Sequence, residues 1–346
     1  MKKQSICLVP EAKSLGGPRT FQQNLVQWAS TTGKADIHFD ADRDDIDAFL
    51  VIGGPKKYLK RLMQARAAGI PVVHRLNGMN WIHRQQNCGL KYYIHSETAN
   101  LAIACYRRFV CNKIIYQSPF CERRWNQVYG KTNKPSQVIF NGTDTELFSP
   151  GEHIPDFSKR IDFLLAEGSF RYGMDFGLDT AAELITGLAE RFSQPIVMHV
   201  AGKVNEETCT RIRDILNTSG KAVEVIFEGV ISKESLIALE RKAAFFFSSE
   251  IHAACPNAVI EALSCGLPVI GFDTGALKDV TGEAGIIVPY GTDPWKLEKP
   301  NCQPLVDAAE KVIRENNTFR QTARKRAVEN FTLELMASKY IEFCLS

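Results

Sequence analysis

Cys255-Pro256-Asn257-Ala258-Val259-Ile260-Glu261-Ala262-Leu263-Ser264-Cys265-Gly266-Leu267-Pro268-Val269-Ile270-Gly271 is the stretch on which the reading of this chain turns. Pro256 suits the first helical position, where its missing N–H costs nothing, and Gly266 suits a left-handed stop. A three-turn helix is therefore expected between two strands, Ala244–Ser248 before it and Pro268–Phe272 after it. Its first turn would expose the N–H groups of Asn257, Ala258 and Val259, a ready site for phosphate at the positive end of the helix. Glu261 lies among Ala258, Val259, Ala262 and Leu263, company in which a carboxylate needs a hydrogen-bond partner. A ribose diol would supply one. A Glu turned to solvent or capping a neighbouring turn is the plainer alternative.

Outward from this segment, short β-branched runs alternate with helical patterns along the whole chain, which predicts parallel sheets built from βαβ units. In the first half strands are expected at Ser5–Pro10, Ala48–Gly53, Pro71–Leu76, Asn112–Gln117 and Gln137–Asn141, with a helix around Ala99–Arg108. In the second half they are expected at Asp162–Ala166, Ile196–Ala201 and Val223–Phe227, besides the two already given. Asn141-Gly142-Thr143-Asp144 is turn chemistry, and Pro150-Gly151 with Pro155 is the most linker-like stretch. The boundary is set there: residues 1–152 form one domain, 153–330 a second, and a last helix from Phe331 is expected to rejoin the first. In such sheets the loops at the strand C-termini make the binding crevice. Two of these domains face to face would enclose a cleft.

The chain of 346 residues is 45% hydrophobic and 23% charged, which argues against disorder and allows two cores. The start, Met1-Lys2-Lys3 before Ile6-Cys7-Leu8-Val9, reads as a first strand, too short for a secretory segment. The ten cysteines form no CxxC pair and read as reduced, mostly buried thiols of a cytoplasmic protein. The net charge of +3 conceals a split: residues 1–150 hold 21 Lys and Arg against 11 Asp and Glu, whereas residues 151–346 hold 21 against 28. Between Ala48 and Lys134 the ratio is 15 to 2. Such a face attracts phosphate or anionic lipid; nucleic acid is not expected, since no nucleic-acid motif accompanies it. Asp40-Ala41-Asp42 has the spacing of a metal clamp but lies in an acidic run of turn residues, and no metal site is expected.

In the order and spacing of its motifs the chain resembles the retaining glycosyltransferases of GT-B fold, glycosyltransferase family 4. The segment 255–271 resembles that family's donor signature, and Gly16-Gly17-Pro18-Arg19-Thr20-Phe21 its N-terminal glycine loop. Val138–Asp144 with Phe148-Ser149-Pro150 resembles its interdomain segment, and Gly275–Pro289 is also typical. The resemblance implies an α/β GT-B architecture, two Rossmann-like parallel-sheet domains facing a central cleft. It further implies that Gly16, Gly17, Gly229, Val230, Asn257, Ala258 and Val259 line the donor, with Glu261 on the nucleotide ribose and Arg171 on the diphosphate. Pro18, Arg75, Asn77 and Gly78 would contact the acceptor.

Three departures accompany the match. The first of the family's two glutamates falls on Ala253, with Glu250 and His252 near enough to substitute. The usual Lys-Gly after the diphosphate arginine is replaced around Met174-Asp175-Phe176-Gly177, leaving Lys203 as the candidate for the missing charge. In Val73–Trp81, Asn77 occupies the place of an acid; an amide orients a hydroxyl but takes no proton. The expected activity is metal-independent, cofactor-free transfer of a hexose, glucose first, from a UDP-sugar to a glycan or lipid-diphosphate-linked acceptor in polysaccharide biosynthesis. The protein would be cytoplasmic, in peripheral contact with an anionic inner membrane face. The alternatives are a GDP-mannose-dependent transferase and a nucleotide-sugar-binding protein with impaired catalysis.

Overall fold

The structure, a computed structural model, describes residues 3–13, 16–170 and 176–346. The chain forms two compact units, 1–143 with 330–346, and 144–329.

The first unit runs β1 (Ser5–Val9), α1 (Gly17–Thr32), β2 (Asp36–His38), β3 (Ala48–Ile52), α2 (Leu59–Ala67), β4 (Val72–Leu76), α3 (Leu90–Cys105), β5 (Lys113–Tyr116), α4 (Pro119–Tyr129) and β6 (Ser136–Val138). Its six strands are all parallel, in the order β2-β1-β3-β4-β5-β6. Both faces of β1 and β3 are covered, which is why they read as unbroken apolar runs. One face is covered by Phe21, Leu25 and Ala29 of α1, together with Met336, Ala337 and Tyr340 from the far end of the chain. Leu62 and Ala65 of α2, with Tyr106, close the other. The return to this unit is tight: Thr143 bridges Thr332, and a Cβ on Gly142 would stand 2.7 Å from the Thr332 carbonyl oxygen.

The second unit runs β7 (Ile161–Ser169), α5 (Phe176–Leu188), β8 (Ile196–Lys203), α6 (Glu206–Thr218), β9 (Val223–Gly229), α7 (Lys233–Lys242), β10 (Phe246–Ser248), α8 (Asn257–Ser264), β11 (Val269–Phe272), α9 (Leu277–Thr281), β12 (Gly285–Val288), α10 (Gln303–Arg314) and α11 (Asn316–Asn330). The final helix, α12 (Leu333–Leu345), belongs to the first unit. The second sheet is also parallel, in the order β12-β11-β10-β7-β8-β9. The chain enters this unit at Asp144 rather than after Glu152, because Phe148 is buried with Ile237 and Cys265. The Phe148 carbonyl also accepts Ser264 Oγ at 2.6 Å and Arg324 Nη1 at 3.1 Å.

Strand order alone locates where each sheet can bind a ligand. Connections reverse direction between β1 and β3 in the first sheet and between β7 and β10 in the second, and the loops after those strands diverge to leave a crevice. The glycine loop follows β1, and α8 follows β10.

Several elements depart from the sequence expectation. The helix expected at Ala99–Arg108 begins at Leu90 and ends in a π turn, Tyr106–Val110, closed by the Cys111 N–H on the Tyr106 carbonyl at 3.0 Å. The strand expected at Gln137–Asn141 is Ser136–Val138. The helix α8 has eight residues, about two turns rather than three: Pro256 is extended (φ −72°, ψ 113°) and precedes the helix instead of opening it. Gly266, at φ +72°, ends it as expected. The short strands β2 and β12 were not anticipated.

Candidate functional site

In the second unit the site grows from the ends of β7, β8 and β10. The amides of Asn257, Ala258 and Val259 form the first turn of α8, where helix geometry leaves N–H groups without intrahelical acceptors. One turn on, Glu261 is half-buried, its carboxyl without a hydrogen-bond partner among the described residues. Burial pushes this group up to about 7, opposed by the positive charge of Lys233 at the start of α7. Lys233, which follows the turn that begins at Gly229, is thus near enough to Glu261 to act on its charge. Gly229 has φ +66°, and the Val230 side chain is 79% exposed. Ser232 caps α7 by accepting the Ser235 N–H at 3.2 Å.

The β7 end carries a bulge. Ala166 pairs with Ala201 and Ser169 with Lys203, so Glu167 and Gly168 are looped out. A side chain at Gly202 (φ +136°) would overlap the Glu167 carbonyl oxygen, which is why this crossing needs glycine. The Glu167 carboxyl is pushed up to about 8, first by burial and then by the Glu250 charge, while Ser249 Oγ donates to it. Lys203 is exposed at the end of β8, its carbonyl accepting the Phe170 N–H at 3.0 Å. Glu167 and Ser249 escaped the sequence reading, because a bulge has no periodicity to betray it.

Glu250 is exposed. His252 is not a surface histidine: it is 8% exposed, holds a left-handed backbone (φ 59°) and stacks on Trp295 with ring centroids 3.4 Å apart. Ala253 is buried against Gly275, whose Cβ would lie 2.6 Å from the Ala253 nitrogen. Arg171 lies outside the described residues, as do Met174 and Asp175, while Phe176 and Gly177 open α5.

In the first unit Gly16 precedes α1 at φ +136° and ψ 178°, a conformation open to glycine. Its carbonyl accepts the N–H groups of Arg19 (3.0 Å) and Thr20 (3.1 Å), which turns the chain into the helix. Gly17 is exposed and Pro18 half-buried in the first turn. Gly78 is exposed after β4.

Arg75 requires a correction. As an acceptor contact it would need an open guanidinium, but it is 1% exposed and spends its donors internally. Nε donates to the Tyr340 hydroxyl at 3.1 Å, Nη2 to Asn141 Oδ1 at 2.8 Å and Nη1 to Asn77 Oδ1, over the Phe21 ring at 4.0 Å. Asn77 Oδ1 takes a second donor, Gln117 Nε2, at 2.9 Å. With both lone pairs used, the amide nitrogen is the end of Asn77 that remains to meet an incoming oxygen. Arg75 is thus a positioning residue. Tyr340, Gln117 and Asn141 were missed in sequence; Gln117 directly follows β5, where a polar residue is itself a signal, and Asn141 lies three residues past β6.

The remaining candidates resolve locally. Asp40 Oδ1 accepts the Asp42 N–H at 3.0 Å, an ordinary turn, and Arg43 bridges Asp36 and Asp45. No group of three or more His, Cys, Asp or Glu able to hold a metal occurs among the described residues.

Comparison with known proteins agrees with this geometry. Solved structures share the architecture over nearly the whole chain. Sucrose-phosphate synthase from Thermosynechococcus elongatus has 16% identity and TM-score 0.67, covering 99% of this chain and 98% of its own. WaaG, a glycosyltransferase involved in lipopolysaccharide biosynthesis, has 14% and 0.67, covering 98% and 99%. HepE from Anabaena, solved with UDP and glucose, has 12% and 0.65, covering 99% of each. The fold is GT-B. No curated protein matches the sequence. The sequence model described as "Glycosyl transferases group 1" matches residues 138–316, just over half of the chain, and covers most of the unit that carries α8, Glu261 and the bulge at Glu167. By that match this chain belongs to the group 1 glycosyl transferases.

Proposed function

We propose that this glycosyltransferase moves a hexose, glucose from UDP-glucose, to a glycan or lipid-diphosphate-linked acceptor, with retention at the anomeric carbon. Its role in this reading is polysaccharide biosynthesis in the cytoplasm. The observation that carries it is α8: amides at its N-terminus, Glu261 one turn later and Lys233 near it, all where the second sheet's connections reverse. That arrangement offers donors to a diphosphate and an acceptor to a ribose diol. HepE was solved with UDP and glucose, and a pneumococcal O-GlcNAc transferase of 14% identity with UDP and GlcNAc, which supports a UDP-sugar as donor.

As the glycosidic bond to the leaving UDP breaks, negative charge grows on the diphosphate. The α8 amides and Arg171 would meet that charge with prepositioned donors, the largest contribution a protein makes to such a step. No metal is needed in this scheme. Asn77 would orient the acceptor hydroxyl through its amide nitrogen, and the leaving phosphate oxygen would receive the proton, since an amide cannot.

Ala253 and Asn77, standing where acids are expected, favour a second reading, a nucleotide-sugar-binding protein with impaired catalysis. A panel of UDP- and GDP-sugars, followed for nucleotide release with crude glycolipid and with EDTA, separates them. UDP release from UDP-glucose under EDTA is the expected result. Release from GDP-mannose instead would move the donor assignment, and saturable binding without release would establish the second reading.

A further inference from the structure

We propose that the outer face of α3, with the π turn that continues it, docks on an anionic bilayer surface. A helix on a protein surface normally turns apolar residues inward and polar ones outward. This one is reversed. It buries Ser96, Asn100 and Ala104, with Asn100 Nδ2 on the Asn80 carbonyl at 2.8 Å and Asn100 Oδ1 taking the Asn80 N–H at 3.0 Å. Leu90, Ile94 and Leu101 are left outside at 76%, 52% and 58% exposure. At 100° per residue these three fall within an arc of about 40°. The π turn then carries Phe109 outward at 65% exposure.

The border of this stripe is basic. Lys91 and His95 lie along one side of it on the helix, and Arg108 precedes Phe109. Arg66 of α2 donates to the Phe109 carbonyl, bringing that basic helix alongside. Glu97, the one acid on α3, is already matched by Arg84 (2.6 Å) and His83 (2.8 Å). Leucines on one face with lysine and arginine beside them are what a helix lying in a membrane interface needs. No helix among the described residues is long and apolar enough to cross a bilayer, so the contact is superficial. A second copy of the chain fits poorly, because an isologous contact through this face would set the basic border of one copy, Lys91 and Arg108, against that of the other.

The test is sedimentation of the full chain with vesicles of phosphatidylcholine alone or with one quarter phosphatidylglycerol, without nucleotide. Binding is expected only to the anionic vesicles, weakening as salt is raised. Lys91→Gln with Arg108→Gln should lower it about twenty-fivefold, since each cation near such a surface strengthens partitioning about fivefold. Ile94→Asn with Leu101→Asn should lower it at least tenfold while circular dichroism stays unchanged. Absence of binding to anionic vesicles, or equal binding by all variants, overturns the proposal. So does a wild-type dimer in analytical ultracentrifugation that the asparagine pair converts to monomer. A chain that binds UDP-glucose but not vesicles overturns this inference alone, leaving the donor site untouched.

Discussion

Arg75 donates through Nη1 to the side-chain oxygen of Asn77, so a fully buried permanent cation rests on an amide where a carboxylate would neutralise it. Its other partners, the Tyr340 hydroxyl, Asn141 and the Phe21 ring, are neutral as well. A buried charge held only by dipoles keeps part of its desolvation cost. Asn77→Asp should therefore stabilise the first unit by about 1 kcal/mol at pH 7, read as a raised denaturant midpoint. The gain should vanish in acid as the new carboxylate protonates. Arg75→Ala should cost about 3 kcal/mol by removing three buried hydrogen bonds and the packing on Phe21. If Asn77→Asp lowers the midpoint, the Arg75 charge is compensated in some other way.

Glu261 gives a pH-dependent binding prediction. With the free carboxyl pushed up to about 7, half of it is neutral at that pH. A ribose diol donates to the carboxylate better than to the acid. Affinity for uridine, which carries no titrating phosphate, should thus fall about tenfold for each pH unit below 7 and level off above it. Glu261→Gln should bind more weakly at neutral pH, about tenfold or more, with a flat pH profile and a melting temperature no lower than that of the native chain. Calorimetric titration between pH 5.5 and 8.5 reads this directly. A sloping profile in the Gln variant removes the ribose assignment.

Periodicity carried most of the architecture. Apolar runs such as Ala48–Ile52 mark a strand buried on both faces, and Gly266 marks a helix end, because each is a local necessity. What stayed hidden in the sequence depends on partners far along the chain. Arg75 reads as an acceptor contact until Tyr340, 265 residues away, is seen to hold it. The bulge at Glu167 is enforced by Gly202 from the next strand, so neither residue signals it alone. The reversal of α3 is visible only once Asn80 is found to satisfy Asn100. The helix α8 was legible because its glycine stop, its dipole and its carboxylate all lie within one short segment.

His199 supplies a second pH dependence, in stability. Its ring lies between Asp162 Oδ1 (2.9 Å) and Glu228 Oε1 (2.7 Å), tying β7, β8 and β9 together across the sheet. The two carboxylates raise the imidazole despite the opposing effect of burial, and the hydrogen bonds of His199 and Arg160 hold Asp162 low. For the raised histidine, stability is complete below its ordinary value of ~6.5 and lost as pH rises through the folded value. For the depressed aspartate, it is present above ~3.8 and lost as pH falls through the folded value. The contribution is therefore greatest near pH 5. His199→Gln should cost about 2 kcal/mol there and less at pH 8. Denaturant unfolding of both proteins across that range measures the difference; a gap that widens toward pH 8 would contradict the triad.

Glu240, on α7, is 0% exposed, and neither carboxyl oxygen has a hydrogen-bond partner. The Cys265 thiol is its neighbour but stands outside hydrogen-bonding geometry. Burial raises this group well above the ordinary carboxylate range, and the charge of Glu261 adds to the shift. Below the ordinary value the group is neutral in folded and unfolded chains alike and costs nothing. Above it, the unfolded chain releases a proton that the folded chain must keep, so stability falls about 1.4 kcal/mol per pH unit until the folded value is reached. Glu240→Met, close in volume and without charge, should thus be nearly silent at pH 4 and stabilising by a few kcal/mol at pH 7. Nucleotide binding should survive the substitution, since Glu240 is sealed from solvent while Glu261 is not. Equal stability of the two proteins at pH 7, with both folded at pH 4, would mean that Glu240 is solvated in a way its burial does not suggest.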